Sequence, residues 1–495
     1  MNFILLSLIT LGFSFPVEVN PLRALYNSLN PQSVAQALAF YELYPQSEEG
    51  KKALARATEL LRGNSIDEVG TLYPFVNKLS EESEKLSQKE IELIERLAVS
   101  LPNRKLKGYE VKSEKEVLAL PSDEIDLGKA LLLSQLSEES DAYSQARSYS
   151  ALLDLMALQI VARLPEKATM KEKINAINAF IFDEMHFRFP PQSVYAQDID
   201  LYTFLPSVMD NHLGVCLGVT ALYLSISQRL DLPLEIITPP GHIYVRYREG
   251  DQITNIETTA RGIDIPTENY LSVNTFQLQE RNLKEVIGMM YVNEASVYLH
   301  NGAYEKAIKA YEKASFYLPN EPIVKELLGY SYLSVGREEE GEALLQEIRN
   351  VLPEGAISKQ SLAEDFLDKK VDLEGIQTVF MLVDETYDTI LEKQKQLQQV
   401  IEKYPDFREG LLQLAVSWIQ LNRAKEAIEI LKRYHALDAT NPSVEYYLAV
   451  LHGERYDFKS CWHYLKHAES ITQKHDFTPQ ALEELRRVLT LHCPE

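Results

Sequence analysis

The chain has 495 residues, enough for roughly two to four domains with substantial cores. Its 45% hydrophobic and 25% charged content excludes extensive disorder. With 50 Lys and Arg against 73 Asp and Glu, the formal charge of -23 opposes general binding to nucleic acid or to an anionic membrane. The 3 cysteines, Cys216, Cys461 and Cys493, make no disulfide framework and no CxxC pair, so they leave the redox compartment open.

Residues 1–15 form an apolar run with the length of a signal-peptide core. No Lys or Arg precedes it, and no clear small-x-small cleavage site comes before Pro16. It reads as an export signal over 1–20, which would make the protein periplasmic or secreted. A membrane anchor and a buried N-terminal segment are the alternatives, and without a signal the location is cytoplasmic. No other stretch reaches the roughly 18 apolar residues a span requires, so no stable transmembrane domain is expected.

Helical periodicity follows over 33–44, 52–62 and 80–99, the last with a charged, solvated face. Residues 101–121 are less periodic, which sets a boundary near 110 between a helical N-terminal region (21–110) and the next domain (111–275). Within that domain, helices are expected over 123–136 and 148–163, separated by the acidic break Ser137-Glu138-Glu139-Ser140. Leu164-Pro165 ends the second helix, and Thr169 caps a further one over 171–182 that gives way by Phe189-Pro190-Pro191. The run 217–230 is a buried helix. Residues 232–237, 243–247 and 252–258 read as short strands, the last two as a hairpin.

Cys216 stands directly before the apolar helix. A thiol there sees orphan N–H groups and the positive end of the helix dipole, which favour thiolate and would also serve an oxyanion. A two-residue loop at Glu249-Gly250 would set His242 opposite Glu257, and would put His242, Tyr244 and Arg246 on one face with Asn255 and Glu257. Such a carboxylate orients the imidazole, which then draws the proton from Cys216. Taken singly, the cysteine is ordinary packing, and a surface pair is the plainer alternative for His242 and Glu257; the convergence of the three is what points to chemistry. Asn211 and Asn255 are candidate oxyanion or supporting residues, with backbone capping the plainer role. His212 reads as a loop residue, and Arg246 as either a receptor for a substrate carboxylate or a surface charge. A zinc site on Cys216, His242 and Glu257 is disfavoured, since HExxH is absent and the imidazole–carboxylate contact serves orientation. No metal or cofactor is expected.

From about 280 to 495 the pattern is continuous helix with a 34-residue period. Pro319 and Pro353 lie 34 apart, as do Ala427 and Cys461. Small residues such as Ala295, Ala307, Gly329, Ala415 and Ala449 recur where paired helices cross. These features resemble tetratricopeptide repeats, interrupted over 357–388 by a capping helix, a long loop or a degenerate repeat. The alternative is an irregular helical bundle.

The segment Leu205-Pro206-Ser207-Val208, then Gly214-Val215-Cys216-Leu217-Gly218-Val219, Pro240-Gly241-His242 and Asn255-Ile256-Glu257-Thr258-Thr259 resembles the transglutaminase-like superfamily, most closely a bacterial branch that carries C-terminal tetratricopeptide-like repeats. The resemblance covers about 169–270. It implies an α+β, papain-like core with flanking helices followed by an all-α solenoid, with Cys216 as nucleophile, His242 as base and Glu257 as acid. The family's usual acid is Asp, so Glu257 is a departure. The implied activity is cysteine-dependent acyl transfer on a peptide or protein amide, as a protease, amidase or transglutaminase. A non-catalytic scaffold that binds a peptide or protein partner through the repeats is the alternative.

Overall fold

The computed structural model describes residues 21–63, 66–76, 86–136, 141–190, 202–383 and 386–493. The expected export signal, the acidic break at 137–140, Pro191 and the start of the charged helix before 86 lie outside them. The chain divides into two units, one of residues 1–99 with 154–167, the other of 100–153 with 168–495.

The first unit is helical. Ser33 caps the helix Val34–Leu43, Ser47 caps Glu48–Leu60, and Ser87 with Glu90 forms a reciprocal capping box on Gln88–Leu97. In each case the hydroxyl accepts an N–H that would otherwise have no partner. The apolar faces bury Val34, Leu38, Leu54, Ala57 and Ile94.

The second unit joins an α+β core to helical repeats. Its centre is the helix Cys216–Arg229, buried on nearly every side, where a surface helix would bury only one apolar stripe. Its last turn is anchored by Gln228, which accepts from the Leu127 N–H at 2.9 Å and donates to the Ile125 carbonyl at 2.8 Å. Arg229 and Asp126 form a fully buried pair at 3.6 Å. Asp126 also accepts from Asn103 and from the Lys129 N–H, while Arg229 donates to the Ser225 carbonyl and Ser150. Burial opposes the Asp126 charge, but Arg229 and these donors outweigh it and lower its pKa.

Against this helix lies a four-stranded antiparallel sheet: β1 (Glu235–Thr238), β2 (Tyr244–Glu249), β3 (Gln252–Ile256) and β4 (Gln279–Arg281), in the order β3-β2-β1-β4. The hairpin pairs Glu249 with Gln252 and Arg246 with Asn255, so its loop is Gly250-Asp251 and not Glu249-Gly250. Gly250 has φ +58°, as the first central position of such a loop requires, and glycine adopts it without strain. The slip moves each partner by two positions, so the shared face survives: Arg246 still lies beside Asn255. Direct opposition of His242 and Glu257 does not survive, because both lie just beyond the ladder.

The repeats begin with the antiparallel pair Leu283–His300 and Tyr304–Tyr317, followed by Pro322–Ser334 and Glu338–Ile348. After an interruption come Arg408–Gln420 with Ala424–Leu437, then Pro442–Glu454 with Phe458–Thr472, and a last helix Gln480–His492. Ala295, Ala307, Ala415, Ala427, Ala449 and Cys461 are all fully buried, small residues that let paired helices approach. The interruption begins as a loop that docks on the core. The Phe276 N–H donates to the Gly355 carbonyl at 2.9 Å, and the Ile357 N–H to the Asn274 carbonyl at 3.0 Å. Two short helices, Leu362–Leu367 and Leu373–Phe380, then lead to Tyr387–Lys403.

Candidate active site

Cys216 is the first residue of its helix and is partly exposed. The cap residue before it, Val215, supplies no side-chain acceptor for the first-turn amides. Directly after β1, Pro239-Pro240-Gly241-His242 forms a tight turn closed by the His242 N–H on the Pro239 carbonyl at 3.0 Å. Proline pre-sets its first central position, and Gly241, at φ +70°, takes the left-handed second one. This turn presents His242 at the mouth of β2.

Glu257 directly follows β3 and caps the short helix Thr258–Ala260. Its Oε1 accepts from the Thr259 N–H at 3.1 Å and the Thr259 hydroxyl at 2.6 Å. Its Oε2 lies 2.7 Å from His242 Nε2 and accepts from the Tyr270 hydroxyl at 2.6 Å. The extra methylene that distinguishes Glu from Asp is thus taken up by anchoring one oxygen on the residue's own following turn. Tyr270 also stacks on Tyr244 at 4.4 Å and lies parallel to the His242 ring at 6.0 Å.

Two groups hold the imidazole. Burial disfavours its charged form, but hydrogen bonds to Cys216 and Glu257 outweigh that and raise His242 from its ordinary 6.5 to about 10. With Nε2 committed to Glu257, Nδ1 is the nitrogen left for the thiol. Burial likewise opposes the Glu257 carboxylate, yet hydrogen bonds from His242, Thr259 and Tyr270 hold it down at about 2. Burial and the adjacent Glu257 push Tyr270 upward, so it remains a hydroxyl donor.

Cys216 and His242 line a cleft of about 790 Å³. The core contributes Val215, Thr238 and Pro239, the first repeats contribute Met289, Val292, Asn293 and Ile323, and the docked loop contributes Glu354, Ala356 and Ser358. The wall facing the cysteine is therefore made partly of repeat helices.

Asn211 and Asn255 are placed elsewhere, and neither lines this cleft. Asn211 is exposed and donates to the Ser207 carbonyl at 2.8 Å in its own helix. Asn255 is buried, donates to the Ile265 carbonyl and Thr267, and accepts from Arg246. Arg246 is itself buried and bonded to Asn255, Tyr244 and Thr267, which leaves it in the framework and not open to a substrate. His212 takes a left-handed helix-end conformation and stacks on Phe187 at 4.5 Å. Tyr270 and Thr259 escape sequence reasoning. Thr259 lies two residues from Glu257, where an Asx-like turn is a readable signal, but Tyr270 lies in a turn-rich stretch without periodicity.

Residues 147–286 match the transglutaminase-like superfamily, and residues 394–442 match the tetratricopeptide repeat. A UPF0162 protein of Xylella fastidiosa (strain Temecula1) is 22% identical over 239 residues, covering 44% of this chain and 82% of the relative. F-box only protein 21 of Mus musculus is 24% identical over 119 residues, 23% of this chain and 17% of that protein. Among solved structures, MamA MSR-1 C2 covers 38% of this chain and 98% of its own at 17% identity, with a TM-score of 0.21, too low to define the fold. The chain thus carries a domain of the transglutaminase-like superfamily followed by tetratricopeptide repeats.

Proposed function

We propose that the protein is a cysteine acyl-transfer enzyme acting on a peptide or protein amide. The observation that carries this reading is the single line of contacts from Tyr270 and Thr259 through Glu257 to His242 and Cys216, with His242 raised to about 10. An imidazolium beside a thiol stabilises the thiolate, which is the nucleophile. The thiolate adds to the amide carbonyl, and the uncapped amides of the helix start receive the developing oxyanion. His242 gives its proton to the departing amine as the carbon–nitrogen bond breaks, leaving a thioester on Cys216. Water or a second amine then adds to the thioester and gives its proton to His242, and the carbon–sulfur bond breaks to release the Cys216 thiolate beside the imidazolium. Glu257 stays ionised throughout and fixes the ring. No metal or cofactor enters these steps.

The cleft supports a polypeptide as substrate. Its apolar lining from Val215, Met289, Val292 and Ile323 is interspersed with Thr238, Asn293 and Ser358, a mixture suited to an extended chain's side groups and backbone. The test is turnover of a peptide-amide library, with covalent capture of the thioester by an electrophilic peptide probe. Both should vanish in Cys216→Ala and in His242→Ala. Turnover that survives Cys216→Ala removes the mechanism.

A second reading, a scaffold that binds a protein partner through the repeats without catalysis, is favoured by the repeat match itself. It predicts that full-length Cys216→Ala retains the partner and that the parent thiol shows no enhanced reactivity.

A further inference from the structure

A second cluster of chemistry-bearing side chains lies far from Cys216 in the chain, where the last two complete helix pairs of the repeats meet. His435 is on the helix Ala424–Leu437, Glu445 on Pro442–Glu454 and His467 on Phe458–Thr472. One ligand atom from each lies within 4.8 Å of the other two. Glu445 is fully buried, and its two oxygens are divided between the imidazoles: Oε1 is 2.5 Å from His435 Nδ1, and Oε2 is 2.9 Å from His467 Nδ1. Among the described residues these are the ion pairs of Glu445, with no Lys or Arg in a pair with it.

A carboxylate removed from water needs a compensating positive charge. A divalent cation held between the carboxylate and the two imidazole nitrogens beside it supplies that charge. The donor set is also selective: two imidazole nitrogens and one carboxylate oxygen suit borderline metals, zinc foremost, rather than calcium or magnesium, which take oxygen. Zinc bonds of about 2.0–2.2 Å place tetrahedral donors about 3.3 Å apart. The ligand atoms, which lie within 4.8 Å of one another, reach that spacing by changes of no more than about 1.5 Å, a side-chain adjustment. His435 and His467 are about one-third exposed, which leaves a face through which the ion enters and a fourth donor binds.

We propose that His435, Glu445 and His467 form a zinc site that clamps three consecutive helices of the repeat domain. The ion takes the Nδ1 lone pairs, so each ring carries its hydrogen on Nε2 instead of donating it from Nδ1 to Glu445. The edge of the His435 ring against Tyr464, 5.7 Å away at 88°, helps hold its orientation.

The test uses untagged, chelator-stripped full-length protein titrated with Zn²⁺ against a chromophoric chelator, and with Co²⁺ followed by visible absorption. The expected result is one equivalent bound, a Co²⁺ spectrum of four-coordinate type, and a Tm that rises with Zn²⁺. His467→Gln and Glu445→Gln should each weaken binding at least about 10-fold, and the metal-dependent rise in Tm should disappear. Cys216→Ser should still bind one equivalent, which separates this site from the thiol cleft. His467→Gln replaces a partly exposed ring, and its unliganded circular dichroism and Tm establish that it folds. Absence of binding at micromolar Zn²⁺ and Co²⁺, or binding unchanged by His467→Gln in the folded variant, overturns the proposal.

Discussion

Replacing Glu257 with Gln isolates what the carboxylate does for His242. The substitution keeps the length of the side chain and removes its charge. Gln can offer one oxygen and one NH₂ group, whereas Thr259 and Tyr270 both donate to the present carboxylate, so one of those bonds is lost as well. A hydrogen bond to a charged partner contributes about 1.5–3 kcal/mol. At about 1.36 kcal/mol per pH unit, losing it from the imidazolium should lower the His242 titration by about one to two units. The parent value of about 10 then becomes roughly 8–9. His242 lies above its unfolded value, so its stabilising contribution is complete below about 6.5 and is lost as pH rises through about 10. In Glu257→Gln that alkaline loss begins earlier. Selective isotope labelling of histidine, with His242→Ala to assign the signal, follows the titration directly by NMR. An unchanged His242 titration in folded Glu257→Gln would refute the claim that Glu257 supports the charged ring.

Three further results follow from the same structure. Glu257 is held at about 2, so its contribution is present above about 4.5 and lost as pH falls through about 2; urea unfolding between pH 5 and 2 should show a steeper loss in the parent than in Glu257→Gln. Arg229→Met strands the buried Asp126 and should cost about 3–5 kcal/mol by urea denaturation, whereas a cost below about 1 kcal/mol would mean the pair is not what anchors the cysteine helix. Tyr270→Phe keeps the stacking on Tyr244 and removes one bond to Glu257, so stability should fall by about 1–2 kcal/mol and the rate of acyl transfer should fall with little change in KM.

Much of the convergence of Cys216, His242 and Glu257 is legible in the sequence because its cues are local. A glycine-rich approach to an apolar run marks a helix start, and Pro-Pro-Gly marks a turn, so the positions of Cys216 and His242 follow from backbone chemistry within a few residues. The face shared by Arg246 and Asn255 follows from the two-residue period of strands and survives the shift in hairpin register. The register itself turns on which central position the glycine of a two-residue loop occupies, and Gly250 takes the first. β4 was invisible because Gln279–Arg281 shows no alternation; three residues become a strand only by pairing with β1. Tyr270 reaches Glu257 through the tertiary path of a loop, and the trio His435, Glu445 and His467 comes from three helices with no short motif. The small residues at repeat crossings were legible for the opposite reason, since the 34-residue period repeats one packing problem along the chain.

The central claim is that Cys216 is a nucleophile activated by His242. The pH dependence of iodoacetamide labelling at Cys216, resolved by peptide mass spectrometry in the parent and in His242→Ala, tests it most directly. Cys461 is an internal reference, because burial pushes its thiol up to about 11 and keeps it slow. The account predicts fast labelling at Cys216 well below about pH 8 in the parent, lost in His242→Ala. Slow labelling with the same alkaline profile in both proteins would contradict it.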